Sequence, residues 1–101
     1  MKNRQEHLEK LRIVVERSHN CSAIHHESMS VCEIIDGRTW NGDVEIFRLK
    51  NHPSAHWCYA WNYQEGDEQK VAAVLQVPPV ISPNTAVRIS LVEDARKPRN
   101  A

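Results

Sequence analysis

The chain has 101 residues, enough for one hydrophobic core but not for two. Apolar side chains make up 41% and charged ones 26%, an ordinary globular composition that sets the chain apart from disordered and collagen-like sequences. Thirteen basic side chains are balanced by thirteen acidic ones, so no net field draws the protein towards phosphate backbones or anionic lipid.

Met1 to Gln5 is polar and lacks the apolar run and small-residue cleavage site of a signal peptide, so no export is expected. From Arg4 to Arg17, Leu8, Leu11 and Val15 recur at i, i+3 and i+7 with Val14 beside them. Glu6/Lys10 and Arg12/Glu16 add opposite charges at i, i+4. The pattern predicts an amphipathic helix ending near residue 18, with Asn20 suited to the left-handed conformation that closes a helix.

Beyond Asn20 the period shortens to two. Ala23 to Ile35 reads as a strand with Met29, Val31 and Ile35 on one face, and Asp36-Gly37 is a hairpin dipeptide that reverses the chain. Asn41-Gly42 reads as a second turn or a bulge, and Asp43 to Leu49 as a strand that alternates Val44 and Ile46 against Glu45, Phe47 and Leu49. Asn51-His52-Pro53 breaks it. In Ala55 to Tyr63 the side chains of Trp57, Tyr59, Trp61 and Tyr63 share one strand face, opposite His56, Cys58, Ala60 and Asn62. Gln64 to Glu68 forms a polar turn, and Lys70 to Val77 is apolar enough for a central strand buried on both faces. Pro78-Pro79 and Ser82-Pro83-Asn84 make a stiff connection to Ala86 to Val92, where Val87, Ile89 and Leu91 alternate as in a strand. The competing reading is a helix capped by Ser82 with Pro83 in its first position, set against several β-branched residues.

These elements predict an α+β fold: a four- or five-stranded antiparallel meander sheet packed by one N-terminal helix. The domain spans residues 1–94, with the helix at about 4–18 and the sheet at about 23–92, and residues 95–101 form a flexible tail. One helix covers only part of such a sheet, so a homodimer is expected to bury the remainder.

Trp40-Asn41-Gly42-Asp43-Val44-Glu45-Ile46-Phe47, His52-Pro53, Cys58-Tyr59-Ala60-Trp61, Pro78-Pro79-Val80 and Ser82-Pro83 leading to Ala86-Val87-Arg88 together resemble a family of small bacterial proteins without an assigned activity. The resemblance covers about half of the chain and omits the helix. It implies a bacterial origin and a shared fold, and carries over no catalytic residue.

Three function classes compete for the remaining features. The row Trp57, Tyr59, Trp61 and Tyr63 fits a non-enzymatic binding or protein-interaction module, taking a partner protein or a small apolar ligand and needing no cofactor. Trp57, Tyr59 and Trp61, with Arg38, Arg48 and Arg88, also describe a stacking platform for single-stranded nucleic acid, which the zero net charge disfavours. His52, His56 and Cys58 are the most metal-like set, since two ligands at i, i+2 on a strand can share a tetrahedral zinc; with an activated Cys58 thiol they form the alternative of a zinc- or thiol-dependent enzyme. No C-x-x-C or H-E-x-x-H motif supports that alternative, and a buried apolar Cys58 is the simpler interpretation. Three cysteines at irregular spacing fit free thiols in the reducing cytoplasm, and the longest apolar run of five residues is far short of the about twenty that cross a membrane.

Overall fold

A computed structural model of the chain describes residues 4–96, with side chains up to residue 93. Helix α1 (Arg4–His19) leads into strands β1 (Ser22–Ile35), β2 (Arg38–Lys50), β3 (Trp57–Glu65) and β4 (Glu68–Leu75), and helix α2 (Pro83–Arg96) follows. The strands pair antiparallel in the order β1-β2-β3-β4, the expected meander.

Local chemistry explains the boundaries. Arg12 bridges Glu9 and Glu16 along α1, the Glu16 contact at 2.9 Å. Asn20 then takes a φ of 51°, closing the helix in the left-handed region, while the Glu16 carboxylate accepts the Ala23 N–H at 2.8 Å and starts β1. Asp36 and Gly37 both have positive φ, 49° and 77°, the conformation that joins twisted strands with two residues. Asn41-Gly42 is neither turn nor bulge. It runs through β2 opposite Cys32 and Val31, and Gly42 is needed because a Cβ there would stand 3.1 Å from the Trp40 ring. The one register shift in this hairpin falls between His25 and Glu27 on β1.

The sheet separates two apolar layers. Leu11 and Val15 of α1 cover Ala23, Phe47, Leu49, Cys58 and Ala60. The opposite face presents Val31, Val44, Ile46, Tyr59 and Trp61 to Val80, Ala86 and Val87. The segment predicted as a last strand is therefore the helix α2. The Ser82 hydroxyl accepts the Thr85 N–H at 3.2 Å, the Ser82 carbonyl accepts that of Ala86 at 2.9 Å, and Pro83 occupies the first turn. This start outweighs the β-branched residues, because Val87 and Leu91 need only one buried stripe. The sheet accordingly ends at Leu75 rather than near residue 92. Strand β4 is an edge strand, not a central one; its apolar character serves both helices, with Ala72 and Val74 towards α2 and Val71, Ala73 and Leu75 towards α1. Helix α2 packs on the sheet face that the sequence-based reading left without a helix. Of the predicted tail, residues 95–96 belong to α2 and residues 97–101 lie outside the described residues.

Candidate functional site

The aromatic row of β3 divides into three environments. Tyr59 and Trp61, 4% and 3% exposed, are core residues beneath α2. Trp57 is half-buried at the other end, with the His26 ring edge-on at 4.9 Å and the Arg48 guanidinium 5.8 Å from its ring centre. Tyr63 lies towards the turn into β4 and, with Trp61, enters a separate arrangement.

That arrangement is a cavity of about 230 Å³ between the sheet and α2. Trp40, Trp61, Tyr63 and Ala72 line it from the sheet, and Val87, Ser90, Leu91 and Glu93 from α2. Two features of the fold leave this space. Helix α2 lies chiefly over β1, to which Glu33 ties it by accepting from Arg88 Nε at 3.1 Å and Asn84 Nδ2 at 3.2 Å, so the distal ends of β3 and β4 are walled by only one flank of the helix. In addition, Ala72 is the cross-strand partner of Trp61, and its small side chain leaves open the floor that a larger residue would fill. The Trp40 and Trp61 rings meet at 6.0 Å with an interplanar angle of 57°, and Trp40 Nε1 donates to the Asn62 carbonyl at 3.2 Å, which fixes the indole. The walls are thus preformed aromatic surfaces, with Ser90 and Glu93 as polar groups. Sequence reasoning placed Trp61 and Tyr63 in a binding role but missed Trp40, Ser90 and Glu93. Helical spacing of Val87, Ser90 and Leu91 carried the signal for α2, and Trp40 preceding Gly42 by two residues on a strand carried the signal for a ring lying over a glycine.

His52, His56 and Cys58 are not gathered into one site. The His52 ring accepts the Ser54 and Ala55 N–H groups on Nδ1 at 3.1 and 3.0 Å, so it shapes the turn before β3, and its edge meets His19 at 6.3 Å. His56 is exposed, and its carbonyl accepts the Leu49 N–H at 2.8 Å. Cys58 is fully buried under α1; burial, reinforced by nearby Cys21, pushes its thiol up to about 12, the reverse of what a nucleophile or thiolate ligand requires. Among the described residues no group of three or more His, Cys, Asp or Glu side chains is placed to hold a metal ion.

A polar cluster on the α1 face has no counterpart in the sequence-based expectations. Glu45, 1% exposed, accepts from Ser28 Oγ and from His25 Nε2, the latter at 2.8 Å, and Arg4 Nη2 stands 3.9 Å away. The strand alternation had assigned Glu45 to the same face as Phe47 and Leu49 without revealing that this face is buried. Ser28 and His25 both address Glu45 Oε1 rather than each other, so the cluster contains no nucleophile–base–orienter chain. Its visible effect is to satisfy a buried carboxylate and fasten the first turn of α1 across the irregularity in β1. No protein-family model, curated protein or solved structure matches this chain.

Proposed function

We propose that the protein is a small-molecule-binding module that takes a largely apolar ligand into the cavity between the sheet and α2. The observation that carries this is the cavity itself: about 230 Å³, walled by Trp40, Trp61 and Tyr63. A dry apolar cavity of about 150 Å³ suffices for a benzene ring. The space here holds a somewhat larger ring or a branched alkyl group. Aromatic walls bury large area with few torsions to freeze, and the Trp40 hydrogen bond and cross-strand packing of Trp61 hold them in place before any ligand arrives.

A stacking platform for nucleic acid has less support, because Tyr59 and Trp61 are covered by α2. A zinc or thiol enzyme has less still, given the dispersal of His52, His56 and Cys58. Free thiols at Cys21, Cys32 and Cys58 support the reducing cytoplasm as the setting. The test is a tryptophan-fluorescence titration with indole, run on the natural protein and on Ala72→Leu, which fills the floor of the cavity from an edge strand. Saturable quenching that Ala72→Leu abolishes, with the urea midpoint retained, is the expected result. Equal binding by both proteins removes the cavity from consideration.

A further inference from the structure

The lining of the cavity is uneven in charge. Glu93 is exposed at its rim, and among the described residues no lysine, arginine or histidine lines it. The remaining polar contributions also favour positive charge. Trp40, Trp61 and Tyr63 supply aromatic rings to the lining, and an aromatic face attracts a cation through the negative lobe of its quadrupole. Three aromatic side chains and a carboxylate line one space.

Resting on the binding role proposed above, we infer that the ligand is an organic cation presenting a quaternary ammonium group. A primary ammonium has three N–H donors to satisfy, and most of the lining, Trp40, Trp61, Ala72, Val87 and Leu91, offers no side-chain acceptor. A quaternary ammonium has no N–H donors, is weakly hydrated, and presents methyl groups to the aromatic rings while its charge is balanced by Glu93. Arg48 against Trp57 occupies the only other cation–aromatic contact found among the described residues, and it lies at the opposite end of the row.

The test compares choline with its uncharged isostere, in which a quaternary carbon replaces the nitrogen, by calorimetry and tryptophan fluorescence on the full chain. Choline is expected to bind at least about tenfold more tightly than the isostere. Glu93→Gln should remove most of that preference, lowering choline affinity more than isostere affinity. Equal affinity for the two compounds, or a preference for the isostere, overturns the cation inference and leaves the apolar cavity standing. Failure of choline, the isostere and indole alike to perturb the tryptophan signal overturns both.

Discussion

Beneath α1 the sheet is lined by Ala23, Ala55, Cys58 and Ala60 around a single large ring, Phe47, whereas beneath α2 it carries Trp40, Trp57, Tyr59, Trp61 and Tyr63. Small residues allow a helix to settle close against the strands, and Leu11 and Val15 fill the layer completely, each no more than 1% exposed. On the second face α2 packs chiefly on β1, and the space it leaves over the ends of β3 and β4 is not refilled. The α1 face is therefore the sealed half of the core and the α2 face the half with room for something else. Even the buried carboxylate belongs to the sealed side, where Glu45 is enclosed with its partners instead of facing an open space.

The comparison is broken most easily at its largest side chains. Phe47→Ala, at a fully buried position, is expected to lower stability by about 3–5 kcal/mol in urea unfolding, since the sealed layer cannot collapse around the lost ring. Leu91→Ala on the other face removes a half-buried side chain that already borders a cavity, and should cost about 1 kcal/mol or less. It should also loosen indole binding. A Leu91→Ala penalty equal to that of Phe47→Ala would mean that both faces are equally closed.

A smaller effect distinguishes the sealed face by pH. The Cys58 thiol rises from its ordinary 9.0 to about 12 on burial. Below pH 9.0 both folded and unfolded chains keep this proton. Above it the unfolded chain releases the proton while the folded chain retains it, so the folded state loses stability as pH rises towards about 12. The slope is at most about 1.4 kcal/mol per pH unit. Urea midpoints measured across this range should fall more steeply for the natural protein than for Cys58→Ala; parallel curves would mean that solvent reaches the thiol. Iodoacetamide near neutral pH should modify exposed Cys32 in the folded protein and Cys58 only after unfolding.

The meander and the helix α1 were legible in the sequence because local signals agreed: a clean apolar period, opposite charges along the helix, and Asp36-Gly37 and Gly66 at the reversals. The face assignments followed from alternation, with Val44 and Ile46 opposite Phe47 and Leu49 as expected. Alternation could not say that both faces are covered, and that depended on the segment after Pro83. There Val87, Ile89 and Leu91 satisfy a period of two, while Val87 and Leu91 equally satisfy a helical turn. The site suffered from the same ambiguity. Half of its lining comes from α2, and Trp40 joins it only through tertiary packing against Trp61, so the cavity has no contiguous motif.

The cap that decides this ambiguity supplies the smallest test. Ser82 Oγ accepts the Thr85 N–H at 3.2 Å, and Thr85 Oγ1 stands 2.7 Å from the same hydroxyl. The first turn of α2 contains no acidic residue of its own, and the carboxylate that reaches it is that of Glu33, which accepts from Asn84 Nδ2 at 3.2 Å. Ser82→Ala should cost about 1 kcal/mol, and Ser82→Asp, which caps and adds a favourable charge, should match or exceed the natural protein. Because the cap lies at one end of α2 and Ser90, Leu91 and Glu93 lie towards the other, Ser82→Ala should leave indole affinity unchanged. A parallel loss of affinity and stability would mean that α2 docks as one rigid unit, making the open face depend on its cap as closely as the sealed face depends on Phe47.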